Sequence, residues 1–230
     1  MKYLHRILAA IFTLALIFTL LITSVEAVVY WVPGYFEHEY SKYNVTADVN
    51  MTMEDLLDVT DEMMAYLRGQ RADLHVPTVV DGQQREFFNE REILHMEDVR
   101  DLFLAALNIR RACLILMAAI FILLLVTKAR PFRLLAGAFQ WGTLIFTALV
   151  VFLGVLFSTN FTKYFTIFHE IFFNNDLWLL DPRTDLLINI VPEHFFMDTA
   201  LYIAITFVGS VILLFVISTV YRKATKRERR

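Results

Sequence analysis

The chain has 230 residues, 57% of them hydrophobic and 20% charged, with 21 phenylalanines and a formal net charge of −3. That balance is too apolar for a soluble domain and too charged for a chain that is all membrane, so it predicts a mixed architecture. The single cysteine, Cys113, sits inside an apolar run, which excludes an intramolecular disulfide and a cysteine-based metal site and reads as a small buried hydrophobe.

Segment 1–29 ends in the first apolar stretch, residues 7–29. Val25-Glu26-Ala27 would pass as a leader cleavage site. The apolar run is longer than the ~7–15 residues of a leader, so a retained transmembrane helix is expected. Segment 30–101 is expected to be a small α+β domain. Within it, Tyr43 to Met51 alternates like a short strand. Thr52 followed by Asp55 resembles a capping box with a shortened acid. It opens a helix that carries Leu56, Leu57, Met63, Met64 and Leu67, runs to Arg68 and stops at Gly69. Leu74 to Val80 and Glu86 to Phe88 read as strands joined by a turn at Asp81-Gly82. A helix beginning at Met96 continues into the second apolar stretch, 102–126, with Val99, Leu102, Phe103 and Ala106 on one face.

A short turn at 127–133, broken by Pro131, leads to the third stretch, 134–157. Segment 158–198 is aromatic-rich, but Asn174, Asn175, Asp176, Asp181, Asp185 and Asn189 interrupt it, and Pro182 and Pro192 forbid one continuous helix. It suits a segment lying at the membrane interface, where its polar groups must satisfy one another or a headgroup. The fourth stretch, 199–221, precedes a basic tail at 222–230. Each of the four stretches is long enough to cross a hydrocarbon core, which takes ~20 helical residues. Strands are excluded there because unpaired backbone cannot be left in lipid.

Lys2 and Arg6 precede the first span, Lys128, Arg130 and Arg133 fill the turn, and Arg222, Lys223, Lys226, Arg227, Arg229 and Arg230 follow the fourth. The positive-inside rule puts these three segments, and both termini, in the cytoplasm. Segments 30–101 and 158–198, which hold nearly all the acids, then face outward. Arg110 and Arg111 interrupt the second span near its outer end. They either snorkel to the headgroups or point into the bundle. Three Asn-x-Thr triplets begin at Asn44, Asn50 and Asn160, and nothing else argues for glycosylation. No nucleotide-binding glycine loop or nucleic-acid-type patch occurs, so no nucleic-acid partner is expected; the basic tail suits an anionic membrane leaflet.

Six histidines are present. His5 reads as solvated on the inner side, and His38 and His75 as surface residues. His95 and His169 differ, since each falls where an outward segment meets a span and each has a carboxylate within a turn, Asp98 and Glu170. Asp98, three residues after His95, shares its helical face and could fix its tautomer. On spacing alone three readings stand: an acid/base pair acting on a lipid-borne ester, ligands of a metal together with Asp98 or Asp176, or structural groups in a buried polar layer. Without an HExxH pattern the metal reading has little support.

The string FFNEREILHMEDV resembles the signature of a four-span family of low-GC Gram-positive bacteria, the lipoprotein intramolecular transacylases. FHEIFFNNDLWLLDPRTDLLINIVPEHFF resembles that family's second signature, and MMAYLRG and the asymmetric charge layout fit it too. The resemblance covers essentially the whole chain. It implies an α-helical integral membrane protein of the cell membrane, with four transmembrane helices, a small α+β extracytoplasmic domain and cytoplasmic termini. It also implies a reaction without cofactor or metal. The substrate would be a diacylglyceryl-modified bacterial lipoprotein, whose sn-2 acyl chain moves from the glycerol oxygen to the α-amine of the N-terminal cysteine. The family's functional histidines carry over onto His95 in HMEDV and His169 in FHEIFFNN.

An α-amine of pKa near ~8 must lose a proton to attack, and histidine is suited to take it and return it to the leaving oxygen. On this reading His95 is the general base and His169 its partner, as proton relay or oxyanion donor. Asp98 would orient His95, and Arg110, Arg111 or Asn174 would help stabilise the oxyanion. Trp178, Phe172 and Phe173 would line the acyl groove. Two alternatives remain: a non-catalytic membrane protein that binds lipid-anchored partners, and a metal-dependent membrane hydrolase.

Overall fold

The computed structural model describes residues 1–227, apart from the side chains of residues 157, 158, 226 and 227. Of the basic tail, Arg229 and Arg230 therefore lie outside the described residues, as do the side chains of Lys226 and Arg227. The chain is mostly helical. In order it forms α1 (Lys2–Glu26), a π-helical turn at Ala27–Trp31, α2 (Tyr35–Lys42), α3 (Val45–Asp48), α4 (Met53–Leu67) and the strands β1 (Pro77–Val80) and β2 (Gln83–Glu86). Then follow α5 (Glu90–Val126), α6 (Pro131–Thr159), α7 (Phe161–Phe172), α8 (Leu186–Ile190) and α9 (Glu193–Arg227). Among the described residues four helices, Lys2–Trp31, Glu90–Val126, Pro131–Leu156 and Glu193–Thr225, are long and apolar enough to cross a membrane.

The chain divides into two compact units. The first, apolar unit contains residues 1–27, 107–159 and 201 onward. Its interior includes Ala9, Ile120, Leu124 and Leu135 in one cluster and Ile17, Phe207 and Val211 in another. Its outer surface is just as apolar: Ile145 is 75% and Ile115 72% exposed. Lipid, not water, suits such a surface. Its hydroxyls mostly turn back onto their own helices, as Thr13 does to the Ala9 carbonyl (2.9 Å), Ser24 to Leu20 (2.8 Å) and Thr143 to Phe139 (2.6 Å). Nothing in hydrocarbon competes for them. Helices α1 and α6 approach closely because Gly142 has no side chain; a Cβ there would lie 2.6 Å from Thr13 Cγ2. Helix α5 ends in a Schellman closure with Lys128 left-handed (φ 56°) and Ala129 N–H donating to the Leu124 carbonyl (2.9 Å). Pro131 then occupies the first turn of α6, where its missing N–H costs nothing.

The second unit, residues 28–106 and 160–200, carries most of the charge. Thr52 caps α4, accepting from Asp55 N–H (3.1 Å), while its hydroxyl donates to the Asp55 carboxylate (2.6 Å). The other end closes with Gly69 left-handed (φ 72°), Gln70 N–H donating to Ala65 and Gly69 N–H to Tyr66. Leu56, Val59, Met63, Met64 and Leu67 are buried along one side of the helix. The hairpin turns at Asp81 (φ 53°) and Gly82 (φ 72°), the pair of positive angles that a two-residue turn requires, with Pro77 opposite Glu86. Its second strand is Gln83–Glu86, earlier than expected; all four residues are exposed, so no burial alternation marked them, and the buried Phe87 and Phe88 follow the strand.

Two expectations are corrected. Tyr43 to Met51 is not a strand. It holds the short helix α3 between left-handed Asn44 (φ 54°) and Asn50 (φ 51°), conformations asparagine tolerates. Val45 and Val49, four apart, are both buried, so helical spacing was the operative period. The helix through His95 begins at Glu90, not at Met96.

Candidate active site

The early start of α5 comes from its cap. Asn89 Oδ1 accepts from Glu92 N–H (3.0 Å) and the Glu92 carboxylate accepts from Asn89 N–H (2.7 Å), a reciprocal capping box. The other Glu92 oxygen accepts from Leu187 N–H (2.6 Å) at the start of α8. Asn89 Nδ2 donates to Asp185 (2.8 Å), and Arg91 donates to the Asp176 carbonyl. Asp185 also accepts from Asp181 N–H (2.7 Å) and the Thr184 hydroxyl (3.0 Å). The first turn of α5 thus fastens the irregular segment between α7 and α8, which Pro182 interrupts. Glu92 is 1% exposed, and burial raises its pKa against the pull of the Asn89 and Leu187 N–H groups.

His95 lies one turn beyond this cap. Helix α5 has 37 residues and is about 55 Å long, so its charged start, up to residue 101, extends past a hydrocarbon core of ~30 Å. His169 lies in the last turn of α7, whose first turn is capped by Asn160 through Lys163 N–H (3.0 Å). The two imidazoles meet within the second unit with ring centroids 6.2 Å apart. They are 8% and 7% exposed. The buried Phe173 packs on both, 5.6 Å from His95 and 5.5 Å from His169. Trp178 stacks on His169 at 4.9 Å, its own N–H donating to the Asn175 carbonyl (3.0 Å).

The two rings differ in their bonding. His169 Nδ1 is 2.8 Å from the Phe165 carbonyl, which only accepts, so Nδ1 carries the proton and Nε2 keeps its lone pair. His95 Nδ1 is buried and has no hydrogen-bond partner among the described residues. An orphaned acceptor costs less than an orphaned N–H, which favours the His95 tautomer protonated at Nε2. Burial pushes the His95 pKa down to about 4, reinforced by the neighbouring His169 and opposed by Asp98. Burial lowers that of His169 too, against the Phe165 carbonyl. Both are therefore neutral at neutral pH.

The other residues singled out in the sequence fall unevenly. Asp98 makes its hydrogen bond to Asn175 Nδ2 (2.8 Å), not to His95, so its influence there is through charge alone. Asn174 is exposed and makes no side-chain hydrogen bond among the described residues, while its neighbour Asn175 ties α5 to Trp178. Phe172 is 51% exposed and packs on Phe168, which meets the His169 ring edge-on at 5.4 Å. Arg110 and Arg111 belong to the first unit. Arg110 is ion-paired with the buried Glu26, which decides for the bundle over snorkelling, and exposed Arg111 donates to Asn108 (3.1 Å). Reasoning from sequence missed Asn89, Glu92, Asn175 and Asp185. The Asn89–Glu92 spacing was a readable cap signal; the other two act across long separations that no local pattern reports.

The model of the lipoprotein intramolecular transacylase Lit matches residues 10–196. The chain belongs to that family. The membrane-integral lipoprotein intramolecular transacylase of Bacillus cereus has a similar structure, with a TM-score of 0.81 and 25% identity over 100% of this chain and 99% of the other. A variant of the same Bacillus protein with one histidine replaced by arginine matches with a TM-score of 0.77 and 24% identity, covering 100% and 96% of the two chains. An uncharacterized protein of Aquifex aeolicus is 28% identical over 206 residues, 88% of this chain and 90% of that one. With four apolar helices and this likeness, the chain is a multi-pass membrane protein and an acyltransferase of lipoprotein processing.

Proposed function

We propose that the chain moves the sn-2 acyl group of a diacylglyceryl lipoprotein from glycerol oxygen to the α-amine of the N-terminal cysteine, with His95 and His169 as the acid/base pair. The observation that carries this reading is the meeting of two buried, neutral imidazoles from separate segments. The free amine attacks the ester carbonyl and an oxyanion forms. His169 Nε2, the basic nitrogen of a ring held by Phe165, takes the proton released by the amine. It then gives it to the glycerol oxygen as the C–O bond breaks, so the amide forms with no water consumed. His95, kept neutral by burial, donates its ring N–H to the oxyanion. This assignment exchanges the roles expected from sequence, because the hydrogen-bonded ring is the better-defined base. Attacker and ester share one molecule, so no acyl-enzyme is needed and up to ~7–11 kcal/mol of the barrier can be met by proximity.

Phe173 and Trp178 are proposed to contact the acyl chain beside the pair, while Asp98 holds Asn175 and the loop bearing Trp178. Arg110 is left out of the oxyanion site because it is committed to Glu26, and Arg111 because it is exposed and donates to Asn108. The positive-inside rule supports a reading with the termini in the cytoplasm and the second unit outside.

The test is incubation with a diacylglyceryl lipopeptide, followed by tandem mass spectrometry. Transfer gives an isomer, so only fragments locate the acyl group. Fragments with one acyl group on the α-amine and one on glycerol, absent with His169→Ala, are expected. Loss of a whole fatty acid would identify a hydrolase instead.

A further inference from the structure

We propose that a groove along α1 and α6 of the first unit binds an anionic phospholipid, with the headgroup phosphate at its basic mouth and an acyl chain along its apolar floor. The groove has a volume of about 1380 Å³, more than the ~300–1,000 Å³ of ordinary small-molecule pockets. Lys2, His5, Arg6, Arg130, Arg133 and Arg222 line one end, and among the described residues no carboxylate lines the groove. Among the described residues Lys2, Arg6, Arg130 and Arg133 form no ion pair or side-chain hydrogen bond, and His5 Nε2 is buried without a partner. Arg222 is held by the Gln140 side chain, which also reaches Thr219 (2.9 Å), so one cation is fixed at the mouth.

Concentrated unpaired positive charge on a membrane helix pair needs an anion, and in a bilayer the nearest is a lipid phosphate. The rest of the lining decides between lipid and free phosphate. Past the mouth it runs through Leu14, Gly137, Trp141, Ile145 and Phe146, and Trp141 and Ile145 are 71% and 75% exposed. A free phosphate would leave this floor bare; an acyl chain covers it. Gly137 widens the groove, since a Cβ there meets nothing within 4 Å.

The test is native mass spectrometry of the full chain in neutral detergent, titrated with dioleoylphosphatidylglycerol or dioleoylphosphatidylcholine. Saturable binding of phosphatidylglycerol, about tenfold tighter than of phosphatidylcholine, is expected. The double variant Arg130→Gln, Arg133→Gln should remove the preference. Gly137→Leu, which has room to fold, should weaken both lipids by filling the floor. Equal binding of the two lipids, a preference that survives the double variant, or binding untouched by Gly137→Leu would each overturn the proposal. Full displacement by millimolar inorganic phosphate would overturn the lipid as occupant.

Discussion

The two units differ in how most of their polar side chains are used. In the apolar unit, Thr13, Thr19, Ser24 and Thr143 donate to carbonyls four residues back on their own helices. In the second unit, polar side chains join distant segments: Glu92 to Leu187, Asn89 to Asp185, Asn175 to Asp98, Tyr40 to Thr60 and Tyr35 to Thr199. Helices in lipid satisfy their own backbone and are held mainly by close packing, with few polar ties such as Arg110–Glu26 and Gln140–Thr219, whereas an irregular segment such as residues 173–185 has backbone groups that such ties must satisfy. The histidine pair is placed by ties of the second kind, so its geometry should be sensitive to polar substitutions that the apolar unit would absorb.

The sharpest break in this contrast is at the pair itself. His169→Ala or His95→Ala should slow transacylation by ~10²–10⁴-fold while leaving the unfolding midpoint nearly in place. A variant retaining wild-type turnover would remove that residue from the chemistry. The rate profile sharpens the same point. The substrate amine puts one acid limb of kcat/KM near its own pKa of ~8; because burial lowers both imidazole pKa values, the limb that belongs to the enzyme should lie below the ordinary ~6.5. The stability contributed by burying them neutral should be full above ~6.5 and lost as pH falls through the lowered pKa values, about 4 for His95. A second acid limb above ~6.5 that does not follow the pKa of the substrate amine would contradict this account.

Glu92→Ala tests the ties. It strands the Asn89 and Leu187 N–H groups and should cost about 2–4 kcal/mol in denaturant unfolding, with loss of activity as the loop bearing Trp178 loosens. On the apolar side, Gly142→Ala should cost about 1–3 kcal/mol by driving Cβ into Thr13. The added change Thr13→Ser, which removes the contacting methyl, should restore most of it; absence of rescue would show that the strain lies elsewhere. The smallest effect belongs to Thr19→Val, where a hydroxyl bonded to its own helix is lost. A change within about 0.5 kcal/mol is expected.

What was legible in the sequence follows the same division. The four apolar helices, the Thr52 cap, the Gly69 stop and the Asp81-Gly82 turn all depend on neighbours within a few residues, and each appears. The Asn89–Glu92 cap was equally local but hidden inside a run of charges. The partner of Asp98 was not legible: its spacing from His95 pointed to the imidazole, but Asn175 arrives from a loop whose path no period encodes. For the same reason Asn174 was singled out in place of Asn175. Arg110 left two readings open because Glu26, its partner, comes from another helix. α3 was misread because two asparagines, by turning the chain, imitated an alternation that the buried valines contradict.

The stack of Trp178 on His169 gives the protein an optical reporter. Indole emission is quenched more strongly by an imidazolium in contact with the ring than by neutral imidazole, and the centroids here are 4.9 Å apart. The chain has three tryptophans, so with Trp31 and Trp141 replaced by phenylalanine the remaining emission comes from the one beside His169. A fluorescence titration of that protein follows the protonation of this imidazole without substrate and without turnover.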